Sequence, residues 1–505
     1  MTNTSKNHLK HRPGRTLLSG FVGVGLALLP AVRGAHADEP VVTVMPGKPA
    51  LMLGNFDLNT FDYTTAEFSV AGTATAYKVA GEASIDGHWN AVPDGTAPFA
   101  TRIVVIRPHD AHKFNGTVVV EWMNVSGGLD VPVDWSTVHR ELLRGGYAYV
   151  GVSAQKVGVE GGPSVNGSPA RPLKTVDPAR YGRLSHPGDA FSFDIYSQTG
   201  GLLKGRQVSK LLGPLQVKRV IAMGESQSAF FLGAYVNAVD PLARVYDGIV
   251  IHSRSGIVAS LDGSSIIGAP PERMREAVRL RSDLRVPVME VITETDLMGL
   301  AGSIGFHAAR QPDTNRLRIW EISGTAHADN YLFAVGAIDS GSIPIEQLAA
   351  AWAPMHVLRG MQLEKPMNNA PQHHYVTEAA LWQMDRWLRT GRAPPKAQPL
   401  TLTADQPPKL ALDVNGNALG GIRTPWVDVP TERLAGVGGS PQAQLVGFSE
   451  PLDKPALDHL YPAGRSEYLR KFAASLDMTI KAGYILPADR QEILDLARAS
   501  YQGSN

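Results

Sequence analysis

The 505-residue sequence contains no cysteine. That absence excludes disulfides, thiolate nucleophiles and cysteine-ligated metals, and a chain this long folds without covalent staples. Net charge is also missing: 48 Lys and Arg against 47 Asp and Glu leave +1, so no electrostatic field marks a nucleic-acid or acidic partner. Internal repeats and low-complexity tracts are absent. There is no His-Glu-x-x-His, and His373 and His374 are adjacent rather than one helical turn apart, which argues against a metallohydrolase and implies no metal or cofactor. Long apolar runs are scarce. Thr16 to Val32 is apolar but short for a membrane span and broken by Pro30. A positive region, Lys6 to Arg15, precedes it, and Ala35-His36-Ala37 stands before Asp38. This is the plan of a secretory signal peptide over residues 1–37. There is no twin arginine and no cysteine for lipid attachment, so the expected mature protein is secreted or periplasmic, without stable membrane insertion.

Among the residues present, Gly224-Glu225-Ser226-Gln227-Ser228 follows the apolar run Val220 to Met223 and precedes Ala229-Phe230-Phe231-Leu232. A strand, a sharp turn carrying serine and then a helix form a nucleophile elbow, the α/β-hydrolase device that lifts a hydroxyl above a sheet. Gly224 and Ser228 are small where strand and helix backbones must nearly touch. Downstream, the apolar run Val286 to Ile292 ends in Thr293-Glu294-Thr295-Asp296, and the strand-like Leu317 to Ile322 ends in Ser323-Gly324-Thr325-Ala326-His327. Serine, then acid, then histidine is the chain order of this fold. A serine hydroxyl needs a neutral imidazole to take its proton, and a buried carboxylate to hold that imidazole's tautomer. The expected roles are Ser226 as nucleophile, His327 as general base and acid, and Asp296 as orienting acid. Glu294 is the rival acid, since on an extended segment both would project to one side. Asp296 is preferred because the acid usually sits on the turn after the strand; the alternative for Glu294 is a supporting carboxylate or a strand-end charge.

Of the 15 histidines, His252, at the end of Gly248 to Ile251, is the one serious competitor of His327. An oxyanion site needs backbone donors. One is expected from Gln227, the residue after the serine. The other is expected from Ser126 or Gly127, in the Val125-Ser126-Gly127-Gly128 loop after the strand Thr117 to Asn124, where glycines let the backbone approach a substrate.

Short alternating segments, Ala66 to Tyr77 and Thr101 to Pro108, read as leading antiparallel strands. A helix-like stretch, Ser136 to Arg144, is followed by a strand, Tyr147 to Val152. Strands alternating with helices imply a mostly parallel sheet. The Gly-, Pro- and Ser-rich segment Gln155 to Ala190 is too long for a simple connector and reads as a wall or lid of the site. A helix over Phe191 to Leu212 leads into the elbow strand, and one over Tyr375 to Leu388 closes the core. Beyond Pro394, turn signals at Asn415-Gly416 and Gly420-Gly421 precede two amphipathic helices, near Ser466 to Ala482 and Pro487 to Ser500. The expected organisation is a catalytic domain over 38–393 and a C-terminal extension over 394–505 that packs on the same core. Arg423 reads as a structural ion pair rather than a substrate contact.

Several motifs together resemble those of a family of large exported bacterial hydrolases, the tenth of the α/β-hydrolase domain families. They are Glu121 to Gly128, Asp177 to Gly182, Leu184 to Asp189, Phe193 to Tyr196, Gly224 to Ser228, Trp320 to His327 and Asn415 to Pro425. The resemblance covers nearly all of the chain beyond the leader. It implies an α/β-hydrolase fold, ester hydrolysis and positions for His186 and Asp189 near the pocket, where a loop-anchoring role is equally open. The expected function is a metal-free serine carboxylesterase acting on a small-molecule or polymeric ester. An acyltransferase using the same serine, or a non-catalytic binding protein on this fold, are the alternatives. The polar character of the Gln155 to Ala190 loop argues against a lipase with an apolar lid.

Overall fold

The structure, a computed structural model, describes residues 39–503 apart from 166, 168, 265–271, 301 and 441–442. The leader expected over residues 1–37 lies outside the described residues. Nine strands form one sheet in the order β1-β2-β3-β5-β4-β6-β7-β8-β9. β1 (Val41–Val44), β2 (Tyr63–Val79) and β3 (Ala91–Pro108) are antiparallel, and β3 pairs antiparallel with β5 (Ala148–Val152). From β5 onward every pairing is parallel, through β4 (Thr117–Trp122), β6 (Arg219–Glu225), β7 (Gly248–His252), β8 (Val288–Ile292) and β9 (Leu317–Glu321).

The parallel strands are nearly continuous apolar runs because both their faces are covered. Side chains alternate across the sheet. Val118, Val120, Val220 and Ala222 enter one core with Phe193 and Ile195 of the helix Ser192–Leu202 and Phe230 and Phe231 of the helix Gln227–Ala234. Val119, Ile221 and Met223 enter the other, against the helices Val133–Arg144 and Gln372–Thr390. Trp426, Phe472, Leu476, Ile493 and Leu496 bring the C-terminal residues into that second core. No helix among the described residues is long and apolar enough to cross a membrane.

The leading strands are longer than the sequence pattern implies. Pro93 and Pro98 lie inside β3, and β5 pairs with β3 only from Ile103 to Ile106. The outer half of β3 therefore has one open side, where a residue without an N–H is tolerated. The single helix expected over Phe191 to Leu212 is two, Ser192–Leu202 and Val208–Leu212, interrupted in a stretch with glycine at 200, 201 and 205, a residue unfavourable in helix interiors. The segment from Gln155 to Ala190 carries three short helices, has a small core of Val159, Leu173, Tyr181 and Leu184, and bridges to β3 through Ala100 and Ser185.

Beneath the sheet's C-terminal edge, Arg254 and Glu290 are both fully buried and bonded at 2.5 Å. Removing one partner of such a pair leaves an uncompensated buried charge. Arg254→Met is therefore expected to lose about 3–5 kcal/mol in urea unfolding. The double variant Arg254→Met/Glu290→Met should recover most of that loss, and a double variant no more stable than the single one would contradict this account.

Candidate active site

β6 ends at Glu225, Ser226 follows with φ 58° and ψ −117°, and the helix begins at Gln227. A non-glycine residue in that region is strained and persists only where its surroundings hold it. Here the Ser226 N–H donates to the His252 carbonyl at the end of β7, at 3.0 Å. A Cβ on Gly224 would meet Leu232 Cδ1 and Ser228 Cβ at 3.0 Å, so strand and helix do approach closely enough to demand small residues. Ser226 itself stays half-buried.

His327 lies on the loop after β9. Its Nε2 is 2.8 Å from Ser226 Oγ and its Nδ1 is 2.7 Å from Asp296 Oδ1. Glu294 and Asp296 are not on an extended segment: both belong to the short helix Glu294–Met298, so their side chains diverge rather than share a side. Thr293 caps that helix reciprocally with Asp296, whose Oδ2 accepts from the Thr293 N–H at 2.9 Å and hydroxyl at 2.7 Å. Burial alone would raise the Asp296 carboxyl, but the His327 ring and the donors from His327 and Thr293 hold it below the usual range. Glu294 instead accepts the N–H groups of Gly324 at 2.6 Å and Gly436 at 2.8 Å. It bridges the histidine loop to the C-terminal residues, and burial pushes its carboxyl up to about 7 despite those donors. Gly324 has φ 77°, and a Cβ there would press on Gln372, Val427 and Leu434 at 2.9–3.1 Å, so the turn into His327 requires glycine.

Gln227 opens its helix, so its N–H is among the first-turn donors that have no partner within the helix. Of the two loop candidates, Ser126 commits its N–H to Asn124 Oδ1 at 2.7 Å. That leaves Gly127 as the expected donor. A neighbour the sequence reading passed over, Val125, turns its N–H towards Gln227 Oε1 at 3.3 Å. The Gln155 to Ala190 segment lies directly on this loop, with Val165 N–H on the Ser126 carbonyl at 2.9 Å and Arg171 N–H on that of Gly128 at 2.8 Å.

The remaining candidates are placed as follows. His252 is buried; its Nδ1 meets Asp134 Oδ1 at 2.9 Å and its Nε2 meets His373 Nε2 at 2.9 Å, while His373 Nδ1 meets Asp329 Oδ2 at 3.0 Å. Burial, then His373, holds His252 well below the ordinary histidine range. His186 Nε2 contacts the Ala154 carbonyl at 2.8 Å, and Asp189 accepts from the Lys156 N–H at 2.6 Å and Gln155 Nε2 at 3.1 Å, so both anchor their loop. Arg423 pairs with Asp413 at 2.8 Å and Asp428 at 2.7 Å. Among the described residues, no group of three or more His, Asp or Glu side chains is arranged to hold a metal. Sequence reading also missed Glu225 as a site residue although the elbow motif contains it. It is buried, its Oε1 lies 3.4 Å from His327 Nε2, and burial, then Asp134, Asp296 and Glu121, raises its carboxyl well above the usual range.

A mostly parallel sheet with a serine on a left-handed turn after one strand, and acid and histidine after later strands, defines an α/β hydrolase. The chain belongs to the alpha/beta hydrolase domain family, whose model matches residues 31–495. No curated protein matches it. Solved structures similar to it include a fungal esterase from Rhizomucor miehei, at 9% identity over 44% of this chain and 66% of that one, with a TM-score of 0.23. A thermostable esterase from Pseudomonas putida is similar at 10% identity over 48% and 66%, with a TM-score of 0.24. An esterase from Pyrococcus furiosus is similar at 9% identity over 55% and 87%, with a TM-score of 0.27. The chain thus spans just under two thirds of the first of these, at 66%.

The two acids separate experimentally. Asp296→Asn is expected to lower turnover by about 10⁴-fold through the wrong imidazole tautomer, and Glu294→Gln by far less; the reverse order in ester-hydrolysis assays would exchange their roles. Glu294 also has a signature in stability. A carboxyl raised from 4.5 to about 7 in the folded state contributes stability that is complete below about 4.5 and lost as pH rises through about 7. Between about pH 5 and about pH 8, the wild type should therefore lose roughly 3 kcal/mol relative to Glu294→Gln in urea unfolding. Parallel pH profiles for the two proteins would contradict the neutral-carboxyl assignment.

Proposed function

We propose that the protein cleaves carboxylic esters through an acyl-enzyme on Ser226. The observation that carries this reading is the continuous line from Ser226 Oγ to His327 Nε2 at 2.8 Å, and from His327 Nδ1 to Asp296 Oδ1 at 2.7 Å. In this mechanism the Ser226 hydroxyl attacks the ester carbonyl while His327 Nε2 takes its proton. Asp296 keeps the Nδ1–H tautomer and stabilises the imidazolium. The Gln227 N–H and a donor from the Val125–Gly128 loop, with Gly127 as the expected one, receive the oxyanion, each contributing about 2.7–4 kcal/mol by the usual measure of such donors. Collapse breaks the carbon–oxygen bond to the alcohol, which leaves with the proton from His327. Water then repeats the sequence on the acyl-enzyme.

The substrate class is a small-molecule or polymeric carboxylic ester, and the leader motif supports export to the periplasm or medium. Intact mass after fluorophosphonate treatment tests the reading: one adduct is expected on the wild type and none on Ser226→Ala. Ser226→Ala and His327→Ala should each lower turnover at least about 10³-fold, with the double variant little worse than either because the residues act as a unit. Turnover retained in Ser226→Ala would overturn the assignment. A wild type whose unlabelled form passes the acyl group to an added alcohol faster than to water would be an acyltransferase instead.

A further inference from the structure

Glu225 has no part in the steps above, yet it stands against the reacting atoms. It is the chain neighbour of Ser226 and only 4% exposed. Its Oε1 lies 3.4 Å from the same His327 Nε2 that faces Ser226 Oγ at 2.8 Å. Its Oε2 accepts from Asn124 Nδ2 at 3.2 Å, and Asn124 Oδ1 in turn takes the Ser126 N–H at 2.7 Å. One carboxyl is thus tied to the loop beside the proposed carbonyl site and directed at the base. Burial and then the neighbouring Asp134, Asp296 and Glu121 carboxyls raise its own carboxyl well above the usual range.

The two half-reactions ask different things of this corner. In acylation the nucleophile is Ser226 Oγ, already held by the backbone. In deacylation it is a free water, which must be fixed against Nε2 and the acyl carbon, and fixing a reactant is a large part of the barrier.

We propose, resting on the ester-hydrolase reading above, that Glu225 is the positioning residue that holds the hydrolytic water together with His327. The water oxygen bonds to the acyl carbon as one proton passes to His327 Nε2, and its second O–H donates to Glu225 Oε1, which neither gains nor loses a proton. The tetrahedral intermediate then collapses: the bond between the acyl carbon and Ser226 Oγ breaks, His327 returns its proton to Oγ, and the carboxylic acid leaves. Removing Glu225 therefore slows the second half-reaction and spares the first.

Stopped-flow release of p-nitrophenol from p-nitrophenyl acetate, with intact mass to detect the acetyl-enzyme, separates the two phases. Glu225→Met, which roughly keeps the volume, should show a burst at near the wild-type rate followed by deacylation about 10- to 100-fold slower, with acetyl-Ser226 accumulating. Glu225→Gln, which keeps a polar head, should be slowed less. Equal loss in both phases, or deacylation at the wild-type rate, overturns the proposal. Fluorophosphonate labelling at the wild-type rate shows that the variant's site is assembled. If Glu225→Met does not label, Glu225→Gln decides: slowed deacylation with an intact burst supports the proposal, and anything else overturns it. A wild type that neither labels nor forms an acetyl-enzyme defeats the ester-hydrolase reading itself. A wild type that labels, beside Glu225 variants that deacylate normally, defeats only the role of Glu225.

Discussion

A carboxylate removed from water must be met by donors or it loses its charge. Asp296 is fully buried and is met by three: the Thr293 N–H, the Thr293 hydroxyl and His327 Nδ1. The arrangement of the site follows from that requirement. The donors from Thr293 exist because the chain turns into a helix immediately after β8, and that turn sends Glu294 away from the histidine. Glu294 then ties Gly324, at the entrance to the His327 loop, to Gly436. His327, gripped at Nδ1 by Asp296 and at its own N–H by Thr295 Oγ1 at 3.0 Å, has its second nitrogen left for Ser226.

Around this unit the protein buries two kinds of ionisable group. Arg102 with Glu67 and Asp130, and Arg254 with Glu290, are charge pairs that compensate each other. Closer to the serine, burial works against charge. His252 is held low and Glu225 and Asp134 high, and two imidazole nitrogens, those of His252 and His373, meet at 2.9 Å. Asp296, at 2.7 Å from His327 Nδ1, is the carboxylate bonded to the imidazole, and a bonded carboxylate is what fixes its tautomer.

The C-terminal residues do more than cover the sheet. Gly436 both donates to Glu294 and accepts from Thr295 Oγ1 at 2.6 Å, so the segment beyond Pro394 reaches the loop that carries His327. The Gln155 to Ala190 segment does the same for the opposite side, through its backbone bonds to Ser126 and Gly128. Two stretches that look peripheral along the chain thus brace the two loops flanking the serine.

Much of this was legible in the amino-acid order, because it depends on short-range chemistry. Small residues at 224 and 228, apolar runs that need cover on both faces, and serine, acid and histidine after successive strands are local patterns, and they specify the α/β-hydrolase fold without any knowledge of contacts. The acid was harder. Glu294 and Asp296 differ only in the backbone conformation after β8, and a helix there, rather than an extended segment, sends one to Gly324 and Gly436 and the other to His327. Ser126 and Gly127 could not be told apart for the same reason, since the loop's own Asn124 takes the Ser126 N–H. Glu225, His252, His373 and Asp329 become neighbours only when the ends of β6 and β7, the loop after β9 and a helix start converge. Sequence order determines which chemistry the strands can deliver to one edge of the sheet; side-chain direction and burial, which depend on residues hundreds of positions apart, decide which groups meet and which stay charged.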